Sequence, residues 1–390
     1  MFDRFLNKID FLGRFVTNLQ LDYQTEALGI LPSIKNPRWL VPLKNKKLFI
    51  SSLSLYQPSL IMAKLLKKMT VLAAKGGLPN LAIINRIYFQ RNDDSIKAIF
   101  KRDDLHYAFF TGTEGSHRKV TVQVMDEKGT ILGYIKVADN EDISELLNNE
   151  KEILRDLLRL EINSGLFPKV IYHGEIKGTR VLILDTLKSV HSTFSSRLSD
   201  KHINLLSEIF NKTARISKYK ESKFALQIRQ RLRDLETERL ETERLGDLYK
   251  RAMDYIEEKI GDEEIPFGLC HMDFTPWNTF FHNGQLYVFD WEYAKKEYPP
   301  MLDIFHFIIQ DGILVRHLKP EGLLKRVMKN GKWLSQYSSL VGIKENLIIP
   351  LLLCYLLDIS LLYIEREKGH VKGNLEKVLE AWNGVIKLIV

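Results

Sequence analysis

Alternation of hydrophobic and polar residues in the middle of the chain predicts a small antiparallel sheet. Four apolar runs have the length and residue types of strands, at 96–100, 107–110, 120–125 and 131–137. Asp126-Glu-Lys-Gly129 joins the last two as a hairpin turn, because glycine readily takes a positive φ. A helix is expected over about 143–162, with Gly165 just past its end, followed by strands at 169–173 and 180–184.

After residue 188 the hydrophobic pattern becomes mainly helical, and two strand-like segments interrupt it near 267–292. The most apolar stretch, 347–364, contains Asp358. A charge in its middle favours a buried helix that begins near Pro350 over a membrane span. The order of elements therefore predicts an α+β protein with an antiparallel sheet first and a larger helical part after it.

The first quarter of the chain has a different character. Apolar residues recur at helical spacing over 2–19 and again over 60–71, where lysines accompany them, and the three prolines of 30–50 favour turns and short strands. Residues 1–100 hold 15 Lys and Arg against 6 Asp and Glu, a net charge of +9. The whole chain has 57 Lys and Arg and 49 Asp and Glu, so the remaining 290 residues carry a net charge of −1.

This basic segment has two interpretations. Its helices either pack on the domain that follows or lie on an anionic membrane or partner. We do not expect nucleic acid to bind, because no nucleic-acid motif accompanies the charge. The N-terminus lacks the features of a secretory signal, and two cysteines suit a reducing compartment. We therefore expect a cytoplasmic protein, with peripheral contact at the inner membrane face through residues 1–95.

These patterns divide the chain into three expected domains. Residues 1–95 form a basic N-terminal extension, 96–187 a strand-rich lobe, and 188–390 a mostly helical lobe. The composition, with 45% hydrophobic and 27% charged residues, is that of a globular protein.

Candidate chemistry is concentrated between residues 271 and 303. His271, Asp273 and Asn278 form an H-x-D-x4-N pattern, and Asp290 follows twelve residues later at the end of an apolar strand. Phosphoryl transfer needs one carboxylate to deprotonate the attacking hydroxyl. It also needs a second carboxylate and an amide oxygen to hold Mg²⁺. The alternative is a surface turn with a buried aspartate.

The stretch CHMDFTPWNTFF…VFDWEYA resembles the aminoglycoside phosphotransferase and choline kinase-like family, and the resemblance extends over about 105–390. It implies a two-lobed protein kinase-like fold, with an antiparallel sheet in the N-lobe and helices in the C-lobe. Asp273 is then the catalytic base, and Asn278 and Asp290 bind the metal. His271 and Asp303 support the catalytic loop.

The same family expectation assigns a nucleotide-binding set upstream. Lys136 would meet the phosphates and pair with Glu150, with Glu152 as the alternative. Asp185 to Leu187 would form the hinge that contacts adenine through backbone groups. The phosphate-covering loop would include a set of small residues, Gly112, Thr113, Gly115 and Ser116.

The resemblance implies an ATP- and Mg²⁺-dependent transfer of phosphate to a hydroxyl of a small molecule. The near-neutral charge beyond residue 100 favours a sugar or a sugar-containing intermediate over an aminoglycoside or choline. Three alternatives stay open: a kinase that acts on an aminoglycoside or choline, a kinase-like module that binds nucleotide or ligand without transfer, and a membrane-recruited scaffold whose functional part is the N-terminal quarter.

Overall fold

The structure is a computed structural model, and it describes residues 9–16, 25–33, 36–55, 61–76, 85–112, 118–237, 243–367 and 373–390. The chain divides into two compact units. Unit 1 contains Met1–Asp156 and Phe167–Thr193, and unit 2 contains Leu157–Leu166 and Phe194–Val390.

Unit 1 is built on an antiparallel sheet, to which nine of the described strands belong. Their order across the sheet is β1-β4-β2-β3-β5-β6-β7-β10-β9. The strands are β1 Gly13–Val16, β2 Thr25–Ser33, β3 Asn36–Pro42, β4 Arg86–Arg91, β5 His106–Phe110, β6 Val120–Met125, β7 Ile131–Ala138, β9 Val170–Ile176 and β10 Thr179–Asp185. The strands predicted at 107–110, 120–125, 131–137, 169–173 and 180–184 are confirmed.

Unit 1 also contains four described helices: α1 Lys46–Ser52, α2 Ile61–Lys75, α3 Asp94–Phe100 and most of α4 Glu141–Arg159. The last residues of α4 belong to unit 2. The helices predicted over 60–71 and 143–162 are therefore confirmed where they are described. The hairpin turn also forms, because Asp126 accepts from the backbone N–H of Thr130 and Gly129 has φ +81°.

The strand predicted at 96–100 is wrong, because these residues belong to α3. Ile96, Ile99 and Phe100 follow the i, i+3, i+4 spacing of a helix face, and all three contribute to the core of unit 1. The apolar run was too short for its period to decide between helix and strand.

The helix predicted over 2–19 is also wrong where the structure describes it. β1 (Gly13–Val16) pairs with β4, and Phe15 packs on Phe89 with ring centroids 5.0 Å apart. Residues 1–8 and 17–19 lie outside the described ranges.

Strands from the basic first quarter continue the same sheet. β3 joins β5 in antiparallel register, with Trp39 opposite Phe110 and Leu40 opposite Phe109. The core beneath the sheet contains Leu28, Leu40 and Val122, so residues from both sides of position 95 are buried together. The three-domain division drawn from composition stays a prediction.

Unit 2 is mostly helical, as predicted. Its described helices are α5 Asp200–Thr213, α6 Lys223–Thr237, α7 Glu243–Ile260, α8 Leu302–Leu314, α9 Pro320–Lys329, α10 Gly331–Val341, α11 Ile348–Arg366 and α12 Asn374–Ile389. Short strands form two small sheets, β11-β12-β15 and β13-β14-β8. The strands are β8 Gly165–Leu166, β11 Arg215–Lys218, β12 Glu264–Cys270, β13 Thr279–His282, β14 Gln285–Val288 and β15 Lys295–Tyr298.

The apolar helix α11 lies in the core of unit 2. The stretch Glu345–Arg366 is, among the described residues, the one helix long and apolar enough to cross a membrane, yet 78% of its most apolar window is buried inside the protein. Its buried Asp358 accepts a hydrogen bond from Arg231 Nη1 at 2.8 Å. A buried carboxylate needs such a partner, so α11 is a core helix with a satisfied charge.

Candidate active site

Asp303, in the first turn of α8, holds the segment that follows β12. Its two carboxylate oxygens accept the backbone N–H groups of His271 and Met272, each at 2.8 Å. Burial raises the pKa of the Asp303 carboxyl, although the two backbone N–H donors act in the opposite direction. Met272 has φ +64°, a backbone conformation that needs support when the residue is not glycine. Asp303 therefore has the supporting position that the resemblance implies.

His271 connects this segment to the next strand. Its Nε2–H donates to the carbonyl oxygen of Phe289 at 3.0 Å, while Nδ1 accepts from the backbone N–H of Asp273 at 3.2 Å. The two bonds define a neutral imidazole with its proton on Nε2. The ring is buried against Trp291, with centroids 4.4 Å apart. His271 thus orders the loop through hydrogen bonds.

Asn278 is folded back onto Asp273. Its Nδ2 donates to the carboxylate Oδ2 of Asp273 at 2.8 Å and to the backbone oxygen of the same residue at 3.0 Å. Because the amide nitrogen is used in this way, Oδ1 is the atom that Asn278 can offer to a metal ion. The structure therefore brings the first and last residues of the H-x-D-x4-N pattern into one hydrogen-bonded loop.

His306 is a site residue that the sequence interpretation missed. Its Nε2 lies 3.2 Å from Oδ1 of Asp273, and its Nδ1 lies 3.2 Å from the hydroxyl of Tyr355. A carboxylate only accepts, so Nε2 carries the proton. Burial raises the pKa of Tyr355 well above its usual range, so this hydroxyl stays protonated and donates to Nδ1.

A sequence signal for His306 did exist. It follows Asp303 by three residues in a helix, which places both side chains on one face. Tyr355 lies 49 residues further along, in α11, and has no comparable local signal.

Asp290 lies at the start of a 3₁₀ turn, Trp291–Tyr293, with φ +73° and ψ +53°. The preceding residue is bonded to the Asp273 loop, because the N–H of Phe289 donates to the backbone oxygen of Asn278 at 3.1 Å. Glu292 offers a carboxylate oxygen within 4.8 Å of one from Asp290. These oxygens and Oδ1 of Asn278 are the hard ligands that Mg²⁺ prefers.

Lys136 and Glu150 form a buried ion pair in unit 1. Lys136 lies on β7 between Thr121 of β6 and Leu182 of β10, and Glu150 projects from α4. The Lys136 Nζ is 2.7 Å from Oε1 and 2.5 Å from Oε2 of Glu150. The alternative residue, Glu152, instead pairs with Lys151 at 2.9 Å.

The remaining predicted nucleotide-binding residues are only partly described. Thr113, Gly115 and Ser116 lie outside the described residues. Gly112 has φ +88°, and a Cβ there would lie 2.4 Å from the backbone oxygen of Lys119, so the position requires glycine.

The predicted hinge begins at the end of β10. The Asp185 carboxylate accepts from the backbone N–H of Lys169 at 2.5 Å, and the N–H of Asp185 donates to the Lys169 oxygen at 2.9 Å. Burial raises the pKa of Asp185, while the Lys169 N–H lowers it. Leu187 is exposed. Whether this segment contacts adenine stays a prediction.

Comparison with known proteins first identifies the fold class. The GDP complex of wild-type aminoglycoside 2'-phosphotransferase-IIIa has a TM-score of 0.51 and 12% identity, over 75% of this chain and 96% of that chain. A thermostable mutant of aminoglycoside phosphotransferase APH(4)-Ia, in a ternary complex with ADP and hygromycin B, has a TM-score of 0.50 and 14% identity. The match covers 76% of this chain and 97% of that chain. The predicted α+β, protein kinase-like fold is confirmed.

The family follows from a sequence match. Residues 203–314, which contain the whole Asp273 loop, match the model of the phosphotransferase enzyme family APH. No curated protein matches the chain. The enzyme class predicted from the motif, a phosphotransferase that acts on small-molecule hydroxyl groups, is thereby confirmed.

Proposed function

We propose that this protein transfers the γ-phosphoryl group of ATP, in the presence of Mg²⁺, to a hydroxyl of a sugar or a sugar-containing intermediate. The observation that carries the proposal is the anchored carboxylate of Asp273. One of its oxygens is held by Asn278 and the other by His306, and 32% of the side chain is exposed. A fixed carboxylate with open access suits a base that must meet a hydroxyl from solution.

The roles of the other residues follow from their chemistry. Lys136, held by Glu150, contacts the phosphates of the nucleotide. Asn278 and Asp290 hold Mg²⁺, which when bound offsets the negative charge of the phosphate oxygens. Asp273 aligns the acceptor hydroxyl and takes its proton as the new P–O bond forms. His271 and Asp303 act on the loop backbone and do not touch the reacting atoms.

The surroundings of Asp273 favour a sugar over a polycationic aminoglycoside. Burial raises the pKa values of Tyr293 and Tyr363 while Arg366 lowers them, and the charge of Asp273 contributes a further rise. The guanidinium carbon of Arg366 lies 4.1 Å from the ring centroid of Tyr363. Aromatic faces and an arginine suit hydroxylated or anionic ligands, whereas a polycation requires several acidic partners.

A substrate screen tests the proposal. Purified protein with Mg²⁺–ATP should release ADP in the presence of one class in a panel of sugars, sugar phosphates, nucleoside sugars, choline and aminoglycosides. Transfer is established by a phosphorylated product in mass spectrometry, since ADP release alone also reports hydrolysis. Nucleotide binding without transfer to any member would support the binding-module alternative.

The position of His306 gives a second prediction. His306→Leu should lower kcat by about 10- to 100-fold, because Asp273 loses the donor that orients it. His306→Gln should retain most activity, since its amide can donate from nearly the same place as Nε2. The KM for ATP should stay unchanged in both variants. Equal loss in both, or a loss explained by a lower melting temperature, would assign His306 a purely structural role.

A further inference from the structure

Helix α2 exposes an apolar stripe. Leu65, Met69 and Leu72 have exposed fractions of 51%, 59% and 67%. Their spacing of four and three residues places them on one face of the helix. Single exposed hydrophobic residues are ordinary on protein surfaces, whereas three in a row along one helix mark an interaction surface.

The opposite face of α2 is used within unit 1. Ala74 is fully buried, and Val71 packs against the small core formed by Val41, Phe49 and Leu53. The helix is therefore anchored by its inner face, while the described residues leave the outer face open to solvent.

Positive charge accompanies the apolar stripe. Lys68 and Lys75 are exposed, and each follows a stripe residue, Leu65 or Leu72, by three positions. The helix sequence, IMAKLLKKMTVLAAK, contains four lysines and no acidic residue. It belongs to the first hundred residues, whose net charge is +9. Lysines beside an apolar stripe can extend their amines toward phosphate groups while their methylenes stay in contact with the apolar layer.

We propose that the outer face of α2 binds the surface of an anionic phospholipid membrane. The stripe residues enter the boundary between headgroups and acyl chains, and Lys68 and Lys75 contact the lipid phosphates. A second copy of the chain is a poorer occupant, because two such faces would bring like charges together. The apolar helix α11 is buried, so the proposed contact is peripheral.

Vesicle binding by the full chain tests this proposal. We expect sedimentation with phosphatidylcholine vesicles that contain roughly one-third phosphatidylglycerol, weak binding to pure phosphatidylcholine, and release at raised salt. The L65Q/M69Q/L72Q variant should partition about tenfold more weakly, because glutamine keeps the helix but removes the apolar contact. K68E/K75E should lose the preference for anionic lipid.

A matched control is available on other helices. L158Q/L226Q/L314Q removes three exposed leucines from α4, α6 and α8, and it should bind vesicles like the wild type. The proposal is overturned if the wild type does not bind anionic vesicles or binds both compositions equally. Equal effects of the two triple variants would also overturn it. A concentration-dependent dimer that the L65Q/M69Q/L72Q variant abolishes and the control variant does not would also overturn the proposal, because the stripe would then be a self-association surface.

Discussion

Replacing Asp273 by alanine should lower kcat by about 10²- to 10⁴-fold, the usual cost of losing a general base. The side chain is partly exposed and its backbone is held independently by His271 and Asn278, so the fold should persist. The melting temperature should therefore stay close to that of the wild type. Nucleotide affinity should change little, because the role assigned to Asp273 concerns the acceptor hydroxyl.

The measurement is steady-state product formation with the best acceptor from the screen, together with thermal unfolding. Asp254→Ala is the matched control, because it removes an exposed carboxylate from α7 in the same unit. Near-normal turnover in the Asp273 variant would remove the base mechanism. A comparable loss in the control would point to a general charge effect.

Replacing Lys136 by methionine should have two separable consequences. Loss of a cation that contacts transferring phosphates costs about 10²- to 10³-fold in rate, by analogy with other electrostatic groups in active sites. Removing the lysine also leaves the buried carboxylate of Glu150 without this partner, and breaking a buried ion pair costs about 3–5 kcal/mol of stability. Activity and unfolding free energy should both fall.

A double variant separates the two effects. Lys136→Met with Glu150→Gln removes both charges, so the melting temperature should recover while activity stays low. Lys47→Met, on the exposed side of α1, is the control for loss of a lysine and should change neither quantity. If the double variant regained activity with its stability, Lys136 would have only a structural role.

The sequence was most informative where structure depends on neighbouring residues. β6 and β7 were predicted almost to the residue, because their apolar runs are long and Asp126 and Gly129 supply an explicit turn. Glu150 was selected over Glu152 from its place on the buried face of α4, and the structure pairs it with Lys136. Both inferences used the periodicity of the backbone, together with the turn residues in the first case and the family expectation in the second.

Short or isolated segments were less well predicted. Ile96 to Phe100 is apolar enough for either strand or helix. The acidic Asp94 in the first turn and the packing of Ile96 favour the helix. Gly13–Val16 became a strand because β4 was available to pair with it, and that partner lies more than 70 residues away. Local propensity is weaker than such tertiary pairing.

The sequence by itself determined the candidate chemistry of this protein, which consists of a proposed base, proposed metal ligands and a lysine–glutamate pair. Their spacings are short enough for one loop or two adjacent elements to present them. The tertiary structure decided what holds that chemistry in place. His306 of α8 contacts Asp273, and Tyr355 of α11 contacts His306. Helix packing brings these residues together although no local pattern connects them. It also decided that the stripe of α2 faces outward, because exposure depends on which side of a helix the core covers.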